Sequence, residues 1–372
     1  MHRGRRRRVK AGIQVRVLIV KNMGEPKTFE AAIMLGVYFT ELGIRYDVIE
    51  STNLVDDSTL MPHEPVYPEP YDLCVVLGGD GTILRTLAYL GETDTPYVAI
   101  NYGHLGFLAN PADDGVVRIT AAALAGDVTE ERRANIVMDV DFGEDAPAPP
   151  EGLVRRSRFF ALNEVTVERG VSGRIVDMDV YCDGTLAYKS RGNGMVVASA
   201  TGSTAYALSA GGPLVSPEMR GLVVVPLAAH TLNSRAMVTA PGEVVELVMS
   251  GDEWHSDVRL FLDGRPLEFD VPVRAIRVRN SEYPTRLLRY NHKGFYDDVS
   301  RVFFREKKAD PQSSPDESAS GHWVTEMKRP ACPRAHTECR PFCVLSAEIH
   351  AREAATLCGR TAAIRTWARS TR

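Results

Sequence analysis

A carboxylate among glycines is the first candidate for chemistry in this 372-residue chain. Asp80 lies between the apolar residues 73–77 and the helical pattern of residues 83–89. Glycine lets an anionic ligand approach the peptide groups, and the N–H groups at a helix start favour phosphate. In phosphoryl transfer, one carboxylate commonly orients or deprotonates the attacking hydroxyl. We therefore predict that Asp80 has this role in a phosphate loop made by Gly78, Gly79, Gly81 and Thr82. An ordinary strand-to-helix turn would use the same residue types.

Two polar stretches in the second half of the chain are candidates for nucleotide binding. Asn163 and Glu164 interrupt an apolar, strand-like segment, and their side chains can exchange hydrogen bonds with ribose hydroxyls or an adenine edge. Residues 192–213 are mostly small or hydroxyl-bearing, so a planar ligand could lie close to the backbone and stack on Tyr206. The alternatives are a strand-end turn for the first stretch and tight strand-to-helix packing for the second.

The familiar nucleotide motifs are missing from the sequence. It contains no GxxxxGK[ST] loop, and no GxGxxG run follows a predicted strand. This disfavours a P-loop ATPase and a simple Rossmann dehydrogenase.

Composition is that of an ordinary globular protein, with 44% hydrophobic and 25% charged residues, and the length allows two domains. No apolar stretch approaches the roughly 20 residues that cross a bilayer, and no signal peptide is recognisable, so we expect a cytoplasmic protein without a membrane partner. The formal charge is −4, although residues 1–16 are strongly basic. The resulting acidic body disfavours nucleic acid as a partner.

The cysteines suggest no metal site. Cys74 and Cys182 lie in predicted strands, where a buried apolar role is favoured. The C-terminal group of Cys332, His336, Cys339, Cys343 and Cys358 lacks the paired spacing of structural zinc sites.

The elements that must position these residues change in character along the chain. Strands are predicted at 15–20, 46–49, 71–77 and 96–100, and helices at 25–42, 83–89 and near 115–125. This alternation predicts an α/β domain, a parallel sheet with covering helices, at residues 15–128. Short strands and frequent turns between about 130 and 279 predict an all-β domain at residues 129–284. We expect the basic leader, 1–14, and the tail, 309–372, to be disordered.

In order and approximate spacing, these motifs resemble those of the NAD kinases. The matching stretches are residues 78–82, Asn163 with Glu164, residues 201–212, residues 101–107 and residues 226–238 around His230. The resemblance covers about residues 15–305. Its Gly-Gly-Asp-Gly run is shared with diacylglycerol-type lipid kinases, whereas the Thr-Gly-Ser-Thr-Ala-Tyr stretch combined with Asn-Glu is more specific.

The resemblance implies an activity, its cofactors and an assembly. The terminal phosphate of ATP, or of polyphosphate, would pass to the 2′-hydroxyl of the adenosine ribose of NAD, with Mg²⁺ present and Asp80 as proton acceptor. NAD would lie between the two domains, and residues 285–308 would return to the first domain. A homo-oligomer, dimer or tetramer, is also implied.

The resemblance further implies which residues bind NAD, and it leaves the metal ligands unknown. The implied NAD-binding residues are Asp80, Gly81, Arg85, Asn163, Glu164, Arg174, Arg191, Asn193, Thr204, Ala205, Tyr206, Ala207, Leu208, Ser209 and Arg265. Two positions depart from the family pattern: Asn193 replaces a usual aspartate, and Ala200 replaces a common proline. The first change removes a charge and bears on the choice between NAD and NADH.

Two other functions stay open at this point. A lipid kinase on the same architecture would need an apolar entrance, which the hydroxyl-rich residues 199–212 do not suggest. The second open function is a nucleotide-binding regulator without catalysis, although the presence of Asp80 argues against it.

Overall fold

A computed structural model describes residues 15–54, 58–103, 106–230, 234–250 and 258–304. The predictions for the leader and for the tail with its cysteines fall outside these residues, as do parts of the matching stretches 101–107 and 226–238. The elements follow in chain order: β1 (Arg16–Lys21), α1 (Pro26–Glu41), β2 (Arg45–Glu50), β3 (Leu60–Met61), β4 (Leu73–Leu77), α2 (Asp80–Leu90), β5 (Pro96–Asn101), β6 (Asn110–Pro111), α3 (Val116–Ala125), β7 (Thr129–Arg133), β8 (Ile136–Asp141), β9 (Val154–Arg155), β10 (Arg158–Ala161), β11 (Glu164–Arg169), β12 (Val176–Cys182), β13 (Thr185–Gly192), β14 (Gly194–Ala198), α4 (Tyr206–Ser209), β15 (Val223–Leu227), β16 (Met237–Val238), β17 (Val245–Met249), β18 (Val258–Leu262), β19 (Arg265–Leu267), β20 (Ala275–Asn280), β21 (Thr285–Arg289) and α5 (Phe295–Val299).

The first sheet is mainly parallel and has helices on both faces. Its strand order is β2-β1-β4-β5-β21-β7, with β6 beside β5, and β7 is antiparallel to β21. Alternate residues of β1 point to opposite faces. Val17 and Ile19 pack in a core with α1 and α3, whereas Leu18 and Val20 pack in a core with α2. This is the predicted parallel sheet with covering helices.

Two antiparallel sheets form the second half of the described chain. One has the order β10-β8-β20-β17-β12-β13, and the other has the order β16-β15-β14-β11-β18-β19. Alternating apolar residues from both sheets, such as Met178 on β12 and Met195 on β14, fill the core between them. The all-β character predicted for this half is confirmed, except that β7, at the start of the predicted 129–284 range, pairs with β21 in the first sheet.

The chain returns to the first sheet at its end. After the β sheets, β21 inserts beside β5, in parallel, and brings Leu287 into the core on the α2 face. Helix α5 follows, and a π-helical turn, Ser300–Phe304, ends the described chain. A strand about 190 residues from β5 in sequence therefore pairs with it in the sheet.

The predicted elements of the first half agree with the structure, with one correction. Helix α2 begins at Asp80, not at Ile83, and Gly79 is its N-cap residue. An acidic side chain in the first helical turn is favoured by the positive end of the helix dipole. Asp80 is thus the first helical residue. Among the described residues, no helix is long and apolar enough to cross a membrane.

Replacing Leu287 with alanine tests how much the return strand stabilises the fold. The side chain is buried and fills part of the core against α2. We expect Leu287→Ala to lower the free energy of unfolding by about 2–5 kcal/mol, since the cavity adds to the lost burial. Urea unfolding followed by circular dichroism measures it. Leu186→Ala, at an exposed position of β13, is the control, and an equal loss in both variants would contradict the expectation.

Candidate functional site

Asp80 is held at the start of α2 by the loop that follows β5. One carboxylate oxygen, Oδ2, accepts the N–H of Phe107 at 2.9 Å, and Oδ1 accepts the N–H of Leu108 at 3.3 Å. Gly106 lies directly behind the carboxylate, where a Cβ would collide with it. These contacts fix the orientation of the side chain. Glycine at 106 is therefore a packing requirement of the site.

The glycines before and after Asp80 have different surroundings. A Cβ at Gly78 would lie 2.5 Å from Thr82 Oγ1, so the turn itself excludes a side chain there. A Cβ at Gly81 would have no heavy atom of the described chain within 4 Å, and Gly81 is exposed. The loop is therefore tightly folded on one side and open on the other, which lets a ligand approach the peptide groups.

The electrostatic surroundings make Asp80 a stronger base than a surface carboxylate. Burial raises the pKa of Asp80, while the two backbone N–H groups and the Arg289 guanidinium oppose that shift. A raised pKa brings a carboxylate closer to the range in which it accepts a proton efficiently.

The Asn163-Glu164 segment is clamped by a carboxylate from a distant hairpin. The Asp263 oxygens accept the N–H groups of Leu162, Asn163 and Glu164 at 2.9, 2.7 and 3.1 Å. Asp263 and Gly264 form the turn between β18 and β19, with φ angles of 48° and 76°. An Asp-Gly pair suits such a turn because both residues tolerate positive φ. The turn thereby brings a carboxyl group to the start of β11, and burial raises the pKa of this group.

The surroundings of Glu164 disfavour the ionised form of its carboxyl group. It is 6% exposed, and its Oε2 has no hydrogen-bond partner among the described residues. Burial and the nearby Asp263 raise the pKa of Glu164 to about 8, although the Tyr206 N–H donates to it. At neutral pH Glu164 is therefore mostly protonated, and it presents a hydrogen-bond donor as well as an acceptor.

The small residues 199–204 pack directly against Asn163. Ser199 donates its N–H to the Asn163 carbonyl at 2.8 Å and its hydroxyl to the Leu162 carbonyl at 2.6 Å. A Cβ at Gly202 would collide with the Asn163 backbone. The hydroxyl-rich run and the Asn-Glu pair therefore form one unit, and small residues are needed for that contact.

A cleft of about 600 Å³ opens beside this unit. Its walls include residues 168–171, Asn193, Tyr206, Ser209 and Ala228. Tyr206 is partly exposed and hydrogen-bonds to Glu168, and burial with this carboxylate raises the pKa of its hydroxyl. Three of the residues named from the sequence thus line one cavity, with an aromatic ring available for stacking.

The other residues named from the sequence lie around this unit or apart from it. Thr204, Ala205, Ala207 and Leu208 lie in and before α4, and Arg265 begins β19 directly after the Asp263 turn. Arg85 is exposed on α2, and Arg174 follows the turn that lines the cleft. Arg191 forms an exposed ion pair with Asp177 across β12 and β13, at 3.6 Å.

The two groups of candidate residues are connected through shared packing. Phe160 on β10 and Leu162 lie in the same buried cluster as Ile83 and Leu87 of α2. Helix α2 carries Asp80 at its start, and Leu162 immediately precedes Asn163. The apolar contact therefore joins the glycine-rich loop's helix to the Asn-Glu segment.

Sequence reasoning missed the groups that hold these candidates in place. Asp263 and Gly264 read locally as turn residues, and the N–H donors of Phe107 and Leu108 carry no side-chain signal. Near Asp80 the structure also places a buried cluster of charged residues from β7 and the return segment, which consists of Glu131, Arg133, Arg289, His292, Asp298 and Arg301.

The raised pKa of Glu164 has a consequence for stability. Because the folded-state pKa of about 8 exceeds the ordinary 4.5, the folded protein keeps a proton that the unfolded chain loses, and stability falls as pH rises between these values. We expect Glu164→Gln to remove this loss. The free energy of unfolding of the variant, relative to that of the original protein, should rise from pH 5 to pH 8 by at most about 5 kcal/mol.

Urea unfolding at pH 5, 6.5 and 8 measures the difference. Glu268→Gln, at an exposed position of the same domain, is the control and should show a constant difference. Parallel stability curves for Glu164→Gln and the original protein would contradict the raised pKa.

Family models match most of the described chain. Residues 15–128 match the ATP-NAD kinase N-terminal domain, and residues 162–290 match the ATP-NAD kinase C-terminal domain. Solved structures share the fold. The yeast NADH kinase complexed with NADH has a TM-score of 0.65 at 23% identity, with 80% of this chain and 90% of that chain covered. An NAD kinase from Archaeoglobus fulgidus in complex with ATP has a TM-score of 0.57 at 22% identity. The match covers 77% of this chain and 100% of that chain.

Curated relatives extend the match over most of the chain. The NAD kinase of Aromatoleum aromaticum is 33% identical over 319 residues, which are 84% of this chain and 96% of that protein. The NAD kinase of Marinobacter nauticus is 32% identical over 285 residues, which are 75% of this chain and 92% of that protein. With both family domains present in order and relatives matched over nearly their full length, the chain belongs to the NAD kinase family.

Proposed function

We propose that this protein transfers the terminal phosphate of ATP to the 2′-hydroxyl of the adenosine ribose of NAD, giving NADP. The observation that carries the proposal is the environment of Asp80: an oriented carboxylate at a helix N-terminus, in a loop whose Gly81 side is open. Membership of the NAD kinase family and the ATP-NAD kinase description of both domains support the choice of substrates.

In this proposal Asp80 accepts the proton of the ribose hydroxyl. The raised pKa of the carboxyl group suits that step, and its two backbone hydrogen bonds keep it oriented. As the hydroxyl oxygen loses its proton, it attacks the terminal phosphorus of ATP and the bond to the leaving ADP oxygen breaks. The open N-terminus of α2 favours the phosphate charge.

NAD would be bound by the unit around Asn163 and Glu164. The Asn163 amide and the mostly protonated Glu164 supply donors and acceptors for ribose hydroxyls, while Tyr206 offers a ring at the cleft. Arg85, Arg174 and Arg265 would supply positive charge for the phosphates. Arg191, which forms an exposed ion pair with Asp177, would be a further candidate.

Mg²⁺ would enter with the nucleotide. Among the described residues there is no group of three or more His, Cys, Asp or Glu side chains that could hold a metal. Mg²⁺ commonly binds through substrate phosphates and water with one or two carboxylates, and Asp80 would be the carboxylate beside the phosphates. Neutralisation of the phosphate charge is the chemistry it supplies. Polyphosphate in place of ATP, and NADH in place of NAD, are further substrates to be tested.

We also propose a cytoplasmic homo-oligomer. Several apolar side chains on the outer side of α1 are exposed, among them Phe29, Ile33 and Val37 at a spacing of four residues. An exposed apolar stripe of this kind is typical of an interaction surface. It supports association between subunits, whose number stays a prediction.

Asp80→Asn tests the reaction and the base together. We expect the variant to lose roughly a hundred- to ten-thousand-fold in turnover, since proton acceptance contributes about this much. Purified protein is incubated with NAD, Mg²⁺ and ATP or polyphosphate, and NADP is detected with a strictly NADP-dependent dehydrogenase. Asp113→Asn, in the short 3₁₀ turn before α3, is the matched control.

Three outcomes would contradict parts of the proposal. A fully active Asp80→Asn variant excludes Asp80 as the base. Tight NAD binding without NADP from either donor indicates a non-catalytic regulator. A phosphorylated lipid formed from diacylglycerol, with no NADP, indicates the lipid kinase alternative.

A further inference from the structure

The loop that holds Asp80 is itself held by two arginines. Beyond donating its N–H to Asp80, Phe107 accepts a hydrogen bond at its carbonyl from Arg289 Nη1, at 3.2 Å. The preceding carbonyl, that of Gly106, accepts one from Arg301 Nη2, also at 3.2 Å. The peptide groups on both sides of Phe107 are thus fixed from one side by the carboxylate of Asp80 and from the other by two guanidinium groups.

Both arginines are held by one buried carboxylate on α5. Asp298 Oδ2 lies 3.3 Å from Arg289 Nη2, and Asp298 Oδ1 lies 2.7 Å from Arg301 Nη2. Asp298 is 4% exposed and Arg289 is 2% exposed. Charged groups this deeply buried need a partner in good geometry, because an unpaired charge there is costly. Asp298 is therefore the common partner of the two side chains that anchor the loop.

A histidine and a second carboxylate complete the cluster. His292 contacts Asp298 at 2.7 Å through Nε2 and Glu131 at 2.9 Å through Nδ1, and these carboxylates raise the pKa of His292. Burial alone would raise the pKa of Glu131, but His292, Arg133 and Arg289 lower it to about 2. Burial alone would also raise the pKa of Asp298, but His292, Arg301 and Arg289 lower it. The charged forms of Glu131 and Asp298 are thus favoured, and so is the protonated form of His292.

The side chain of Phe107 adds an apolar contact to the same segment. Its ring lies 6.2 Å from that of Phe295 and 5.6 Å from that of Phe303, measured between centroids. These rings flank Asp298 in the return segment. Backbone and side chain of Phe107 therefore both depend on the placement of α5 and the turn after it.

We propose that Asp298 is a positioning residue for Asp80, acting through Arg289, Arg301 and the loop of residues 106–108. This role rests on the proposed function for its effect on catalysis, but the geometry of Asp80 depends on it in any case. Loss of the Asp298 charge would release the two arginines from the carbonyls and loosen the N–H groups that orient Asp80. Four groups oppose the effect of burial and lower the pKa of Asp80. They are the guanidinium groups of Arg289 and Arg133 and these two N–H donors.

The test compares Asp298→Asn with Asp297→Asn, which removes the same charge from the preceding position of α5. NADP formation is measured from pH 5 to pH 9. For Asp298→Asn we expect turnover to fall at least tenfold, KM for NAD to change less than threefold, and the acid limb of the turnover profile to move to higher pH. The limb moves because weaker N–H donation and a displaced Arg289 both favour the protonated form of Asp80. Asp298→Glu should recover part of the turnover.

A second variant and a second measurement keep the test decisive. If Asp298→Asn does not fold, Arg301→Gln, which removes the Gly106 contact from a partly exposed side chain, should move the acid limb in the same direction. The pKa of Asp80 is also measured without turnover, by carbon NMR of the carboxyl groups with Asp80→Asn for assignment. It should rise by about one unit in Asp298→Asn.

The outcomes separate this inference from the proposed function. No NADP from the original protein would contradict the function, and the NMR titration would still decide the role of Asp298. Unchanged turnover, acid limb and Asp80 pKa in a folded Asp298→Asn variant would overturn the inference. Equal effects from Asp297→Asn would overturn it as well.

Discussion

The hydrogen bonds from Phe107 and Leu108 to Asp80 are the contact on which the candidate site depends most. A carboxylate at the first position of a helix can adopt several rotamers. Two N–H donors from the loop after β5 select one of them. The sheet places this loop beside α2 because β4 and β5 are parallel neighbours and both end at the same edge. The orientation of one side chain thus follows from the order of strands.

The same physical device occurs at the second group of candidate residues. Asp263 accepts three backbone N–H groups around Asn163, as the loop after β5 donates two to Asp80. In both places backbone donors are paired with a carboxylate from a distant part of the chain. The consequences differ. Asp263 binds the three N–H groups, and its proximity raises the pKa of the neighbouring Glu164. The raised pKa keeps Glu164 mostly protonated at neutral pH, while the burial of Asp80 strengthens a proton acceptor.

Much of the fold follows from local pattern, whereas the support of the site does not. Period-two and helical apolar patterns predict β1, α1, β4 and α3 within a few residues, and the short strands after residue 129 predict antiparallel sheets. The start of α2 was placed three residues late because glycines obscure a helical pattern. Asp263 and Asp298 lie about 100 and 190 residues from the segments they hold. An acidic residue before a glycine, such as Asp263, or in a pair of aspartates, such as Asp298, gives no local signal for a partner so distant. Tertiary contacts alone identify it.

The return of the chain to the first sheet explains why these long-range contacts can be made. β21 lies between β5 and β7, so the residues that follow it emerge beside the loop of residues 106–108. Arg289 ends that strand and reaches the Phe107 carbonyl, and α5 then brings Asp298 against the guanidinium. A strand inserted here adds Leu287 to the core and at the same time brings buried charge against the loop of residues 106–108. Since buried ion pairs cost desolvation and seldom add stability, the placement of this cluster beside Asp80 is better explained by orientation of the loop than by stabilisation of the fold.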